Sequence, residues 1–273
     1  MGTVQAGPAQ TAVIAHTSDA GGTWSKFSMP VPFGYQWLGG NMDFVDPLHG
    51  WAAFHEGSGS AFSHGDLFGT TDGGITWTPL SMPFGGQIHF TNWTDGFLVG
   101  GVIDNQLAFT HDGGKTWTSS HLPTSVVGTP NEYATSLPVF SDPQHATMSA
   151  ASAGLGGASA AFLTTSDGGR TWAVAAIKNA ADSNNTPAAA VIDASTWIVN
   201  FGPDWYGTSD RGQSWAHWTT AGLESALSMQ FSDMTTGWAI KLDGSCNSDV
   251  CTQSTTLLFT TDGARTWTPL NPP

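Results

Sequence analysis

The chain has 273 residues, only 10% of them charged, with seven Lys/Arg against 21 Asp/Glu and a formal net charge of −14. So acidic a surface repels phosphate backbones and anionic headgroups, which argues against nucleic-acid binding and against attachment to anionic membranes. No run of 18 apolar residues exists, so no membrane-inserted helix is expected.

The length suits one large all-β domain. Solubility must rest on Ser, Thr, Asn, Gln and Gly. An acidic external medium would suit such a surface, and it implies a stability maximum well below pH 7.

The N-terminus, MGTVQAGPAQ, lacks a basic start and a long apolar run, so it does not read as a signal peptide. Met1-Gly2 is expected to be an added start on a mature secreted chain. Residues 11–29 hold an apolar run and the octet TSDAGGTW at 17–24. Residues 30–83 hold MDFVDPLHGWAAF and then TTDGGITW at 70–77. Residues 84–123 hold IHFTNWTDGFLVG and THDGGKTW at 110–117. Residues 124–178 hold PVFSDPQHATMSA and TSDGGRTW at 165–172. Residues 179–220 hold AVIDASTWIV and TSDRGQSW at 208–215, and residues 221–273 hold MQFSDMTTGWAI and TTDGARTW at 260–267.

Each octet sits between two β-prone runs, which reads as a hairpin. Its glycines supply backbone angles that a Cβ resists, and its Asp accepts N–H bonds within its own turn. Asp19, Asp72, Asp112, Asp167, Asp210 and Asp262 are therefore expected to be structural braces, because six identical catalytic centres make little sense. Ala264 replaces the shared Gly of the last octet, and Gly263 is expected to shift that turn. The second repeated segment is strand, tight turn, strand, and Trp51, Phe97, Met148, Trp197 and Trp238 open its second strand. An aromatic or apolar residue repeated at one slot points to packing between sheets.

Four antiparallel strands per repeat describe a propeller blade. The expected fold is one all-β propeller over 1–273, with five complete blades and an N-terminal half-blade, six-bladed first and seven-bladed as the alternative. The octets resemble the Asp-box, or BNR, repeat. The combination of F-x-D, GWA and T-x-DGG-x-TW is most similar to the photosystem II assembly-factor-like branch of that group. The resemblance runs from Thr17 to Trp267. It implies Asp boxes on outer hairpins away from the central channel, protein binding, and no cofactor. Sialidases, xyloglucanases and sortilin-type receptors carry the same repeat, so it is specific for fold and not for function.

A sialidase needs three convergent arginines, but Arg170, Arg211 and Arg265 all lie inside octets. Other glycosidases need two carboxyls roughly 5–10 Å apart. Asp46, Asp142, Asp193 and Asp233 share one repeat slot, which favours turn capping. Asp43 and His89 fall off that register and are the weak catalytic candidates. Nine histidines include three beside Glu56 and Asp66 in residues 30–83, but no His-x-His or His-x-x-x-His pair exists, so no metal site is expected. Tyr35, Trp37, Trp93, Trp205 and Tyr206 lie outside the repeated slots and are candidates for sugar stacking or protein contact.

Cys246 and Cys251 flank four polar residues, which suits a hairpin tip closed by a disulfide in an oxidising compartment; free thiols are the alternative. The leading functional expectation is a secreted, non-enzymatic propeller. It would bind a protein or polysaccharide through loops on one face, outside the cell or in the periplasm. A glycoside hydrolase or lyase acting on extracellular polysaccharide is the alternative, and a module of a larger surface protein is a third.

Overall fold

The computed structural model describes residues 11–17, 19, 21–30, 37–56, 64–101, 106–120, 122–123, 133–154, 157–183, 186–220, 223, 226, 228–247 and 250–270. Among them there is no helix. The chain forms two compact units, Met1–Ser120 and His121–Pro273.

In the first unit, β1 (Thr11–His16) and β2 (Ser25–Pro30) form a two-stranded antiparallel pair, the half-blade. Blade 1 is β3 (Trp37–Phe44), β4 (Gly50–Glu56), β5 (Gly65–Thr70) and β6 (Thr78–Leu80), hydrogen-bonded in that order. Blade 2 repeats it with β7 (Gly86–Phe90), β8 (Gly96–Gly100), β9 (Gln106–Thr110) and β10 (Thr118–Ser120).

In the second unit, blade 3 comprises β11 (Tyr133–Thr135), β12 (Val139–Phe140), β13 (Ala146–Gly154), β14 (Gly157–Thr165) and β15 (Ala173–Ala180). Its first strand is split, because β11 and β12 both pair with β13. At the break, the Ser149 N–H donates to Ser136 Oγ and the Ser136 N–H to the Ser149 carbonyl, both at 2.9 Å. Blade 4 is β16 (Ala188–Val191), β17 (Trp197–Phe201), β18 (Asp204–Thr208) and β19 (Ala216–Thr219). Blade 5 is β20 (Ser228–Phe231), β21 (Gly237–Asn247), β22 (Val250–Thr260) and β23 (Thr268–Pro269). The fold is an all-β propeller with five four-stranded antiparallel blades and a half-blade.

Each octet is the turn between the third and fourth strands, and all six are built alike. In blade 2, Asp112 Oδ1 accepts the Thr110 hydroxyl at 2.8 Å and the Thr116 N–H at 2.9 Å. Asp112 Oδ2 accepts the Thr116 hydroxyl at 2.6 Å. Thr110 Oγ1 in turn accepts the Gly114 N–H at 3.0 Å. Two successive residues after the Asp take left-handed angles, Gly113 at φ 76° and Gly114 at φ 86°. The last turn holds the same form with Ala264 at φ 64°, so Gly263 does not shift it. Arg211 adopts φ 62° in the fifth turn, a conformation costing a residue with a Cβ roughly 1–2 kcal/mol.

A second, tighter turn joins the first and second strands of each blade. Its leading Asp or Asn (Asp46, Asn92, Asp142, Asp193, Asp233) accepts the N–H groups two and three residues on. This is the Asx pattern. The two turns of a blade are then tied together. Gly73, Gly113, Gly168, Arg211 and Gly263 donate their N–H to the carbonyls of Leu48, Thr94, Gln144, Ser195 and Thr235 at 2.8–3.0 Å.

Within each unit, four octet tryptophans pack on the preceding blade or half-blade. Trp77 joins Ile14 and Phe27 of the half-blade, and Trp117 packs against the blade 1 core and donates to the Ser81 carbonyl at 2.9 Å. Trp215 lies 5.8 Å from Phe162, and Trp267 lies 5.7 Å from Trp205. The second-strand aromatics complete the contacts. Trp51 stacks on Phe90 at 3.6 Å between centroids, and Trp197 on Phe162 at 4.5 Å. Phe97 and Met148 are buried at the same slot, whereas Trp238 in blade 5 is partly exposed.

Replacing Asp112 by Ala leaves the Thr116 N–H without its acceptor, and the expected loss is about 1 kcal/mol of unfolding free energy. Asp112→Asn keeps one acceptor oxygen and is expected to lose less. Urea denaturation of the two variants measures the difference; equal stability of wild type and Asp112→Ala would show the turn holding without its carboxylate.

Candidate functional site

The first unit gathers several polar and aromatic residues where the first strands of blades 1 and 2 end. Alternation along β3 turns Asn41 and Asp43 to the same side, towards β7. The Asn41 amide donates to the Ile88 carbonyl at 2.8 Å and accepts the Ile88 N–H at 3.1 Å. Asp43 Oδ2 accepts the Phe90 N–H at 2.5 Å and lies 3.1 Å from His89 Nδ1. Asp43 and His89 are thus brought together, but as a clamp between blades. The sequence reading missed Asn41, although its position two residues before Asp43 was the available signal.

Just beyond the strand ends come the two Asx turns. In the first, His49 Nδ1 sits 2.8 Å from Asp46 Oδ2, and Leu48 is exposed. In the second, Trp93 is 64% exposed at the turn tip. The Asn92 carbonyl oxygen fixes the turn's backbone by accepting the N–H groups of Thr94 and Asp95, and the Asn92 amide donates to Asp95 at 2.7 Å. The His49 and Trp93 rings lie 6.3 Å apart. Asp95 also pairs with His111 at 2.6 Å. Leu48, His49 and Trp93 therefore form an exposed surface on a hydrogen-bonded base.

The other aromatic candidates separate. Trp205 has no exposed surface and packs among Ile198, Phe231 and Leu258, so it cannot face a ligand. The alternation of β18 decides this: Trp205 points into the contact between blades 4 and 5. Tyr206, on the opposite face, is half-buried, stacked on His217 at 4.8 Å and covered by Lys178 Nζ at 4.0 Å. His217 pairs with Asp204 at 2.7 Å. Tyr35 lies outside the described residues, as does the side chain of Trp37. Cys246 and Cys251 are direct cross-strand partners of β21 and β22, one pair before the hairpin tip, with side chains outside the described set. Among the described residues no group of three His, Cys, Asp or Glu is placed to hold a metal ion.

The carboxyls of the two turns and of the Asp43 clamp are held below the ordinary carboxylate range. Asp43 is pushed up by burial, but the hydrogen bonds from His89 and Phe90 outweigh that and hold it lowered. Asp46 is lowered by the N–H groups of Leu48 and His49. In Asp95, burial raises the carboxyl and the bonds from His111 and Asn92 more than cancel it. The octet carboxyls stand at about 2 against an ordinary 3.8. In Asp72, Asp167 and Asp262 the hydroxyl of the threonine four residues on contributes most, followed by its backbone N–H. Such groups are bound anions at neutral pH. A general acid for glycoside cleavage needs the reverse, a carboxyl raised towards neutrality.

No protein-family model matches the chain, and no curated protein matches it by sequence. Among solved structures, it is similar to the GH74 xyloglucanase from Xanthomonas campestris, with a TM-score of 0.50, 13% identity, and 81% of this chain against 36% of that one. It is similar also to YCF48 bound to D1 peptide, with a TM-score of 0.49, 17% identity, and 95% and 83% of the two chains. The α-L-arabinofuranosidase Arb93A from Fusarium graminearum matches with a TM-score of 0.48 and 12% identity, over 86% and 82%. At these identities the likeness is one of fold alone.

The depressed octet carboxyls set a pH window. Their folded pKa of about 2 lies below the unfolded 3.8, so their contribution is present above roughly pH 4 and is lost as pH falls towards 2. Thermal unfolding followed from pH 7 to pH 2 should show Tm held down to about pH 4 and falling steeply below it. A collapse of Tm already at about pH 5 would contradict the assignment of these carboxyls as the acid-sensitive groups.

Proposed function

We propose that this chain is a non-enzymatic Asp-box propeller that binds a protein or polysaccharide partner outside the cytoplasm, through the Leu48, His49 and Trp93 surface. The observation that carries this reading is Trp93, 64% exposed on a turn whose backbone is fixed by Asn92. A rigid indole loses little entropy on binding, and its flat apolar face suits a sugar ring or an apolar side chain. The nearby His49 and Asp46 add hydrogen-bonding groups at the rim. The downward displacement of Asp43, Asp46 and Asp95 favours recognition over acid-catalysed glycoside cleavage. The Asp-box assignment is supported by six turns with one hydrogen-bond pattern, and it needs no cofactor.

The reading is tested by a glycan array and a pull-down with the folded protein, repeated with Trp93→Ala. The variant should keep the wild-type Tm and weaken capture of the partner by about tenfold or more, the scale of an anchor residue. Unchanged capture would remove this surface from the function. The external location has its own readout. Strand register sets Cys246 opposite Cys251, so a disulfide is expected, with an intact mass two hydrogens below the reduced chain. A fully reduced native protein would count against an oxidising compartment.

A further inference from the structure

Among the described residues the half-blade has two of a blade's four strands, and apolar surface is exposed beside it in the first unit. β1 stands where β5 and β9 stand in blades 1 and 2, since each runs directly into its octet. Ile14 precedes the octet Thr17 by the same interval that separates Leu67 from Thr70. β5 and β9 pair on both edges, but β1 pairs only with β2 among the described residues. The outer part of the half-blade is well seated: Ile14 and Phe27 pack on Ala52, Phe54, Phe68 and Trp77 of blade 1. Further in, apolar side chains of β3 are exposed. Met42 and Phe44 on β3 are 55% and 43% exposed, whereas their counterparts Ile88 and Phe90 on β7 are 1% and 2% exposed.

The comparison also shows what belongs there. Phe44 and Phe90 each meet their octet tryptophan edge-on, at 6.1 Å and 6.2 Å. Phe90 has in addition Trp51, which opens the second strand of the preceding blade, stacked flat at 3.6 Å. Phe44 lacks that stacked ring among the described residues. The β1 sequence TAVIAH carries no Lys, Glu or Pro of the kind that blocks pairing at a free edge.

We propose that the free edge of β1, with Met42 and Phe44 as its floor, is a docking site for an extended segment of a partner protein. The segment adds to β1 as an antiparallel second strand, giving affinity through main-chain hydrogen bonds and specificity through alternate side chains. Its residues on the blade 1 side are bulky and apolar, with an aromatic over Phe44. Its flanks are basic, because residues 1–120 hold nine acidic side chains against two basic ones. This site is separate from the Trp93 surface and does not depend on it.

The probe is a labelled synthetic peptide of residues 86–100, GQIHFTNWTDGFLVG, with two lysines added at each end; in blade 2 this hairpin fills the equivalent place beside β9. Fluorescence anisotropy should show saturable binding. The control peptide with Phe97→Ser and Val99→Ser, and the protein variant Met42→Asp with unchanged Tm, should each weaken binding about tenfold or more. Hydrogen exchange of the β1 amides should slow on peptide addition, and Trp93→Ala should leave peptide binding unchanged. Equal binding of probe and control peptide, or no slowing of exchange in β1, would overturn the proposal. So would a concentration-dependent dimer of the protein alone with β1 protected, which would assign the edge to a second copy of this chain.

Discussion

The structure depends on one carboxylate used six times. In each octet the Asp accepts a threonine hydroxyl before it, and an N–H and a hydroxyl after it, which closes a turn through two left-handed residues. Such a backbone path is costly for residues with a Cβ, and the bound anion compensates for it. The closed turn then presents one further N–H to the Asx turn of its own blade, so that one blade's two turns form a single unit. The Asp spends three of its roughly four acceptor sites inside its own turn, so its role there is structural. That is why the most conspicuous pattern in the sequence says nothing direct about activity.

Blade-to-blade contact within each unit follows from the same turn, since Trp77, Trp117, Trp215 and Trp267 are delivered to the preceding blade or half-blade. Two ways of satisfying the octet indole are seen. Trp77, Trp172 and Trp215 donate to a glycine carbonyl of their own turn, whereas Trp117 reaches across to Ser81. Trp267 finds no acceptor, and neither do its neighbours Trp205 and Trp218. The contact between blades 4 and 5 therefore rests on apolar burial at the expense of three unpaired indole N–H groups, each a real cost in a dry core. With blade faces packed on each other in this way, the first unit shows exposed aromatic and apolar side chains at a turn tip and beside a strand edge.

Much of this was legible in the chain, and the failures are specific. The octets and Asx turns are local in sequence, so their hydrogen bonds could be anticipated from residue type and spacing alone. Trp93 stood out as an aromatic in a turn, and it is exposed there. Trp205 and Tyr206 looked alike because they are adjacent and off the repeat; only the pairing of β18 with its neighbours decides which face each occupies. Asp43 and His89 stood out for departing from register, and they do meet, but in a contact that also takes in the Phe90 N–H. A backbone donor contributed by another blade leaves no mark on residue identity.

The sequence by itself determined the blade, because periodicity, turn chemistry and the Asp–Gly–Trp octet are all encoded within about 50 residues of one another. Tertiary structure alone decided what surface remains after the blades are stacked. Burial is a property of neighbours, so Phe44 and Phe90, equivalent in their own repeats, differ in exposure: Trp51 of β4 lies over Phe90, while among the described residues no such ring covers Phe44.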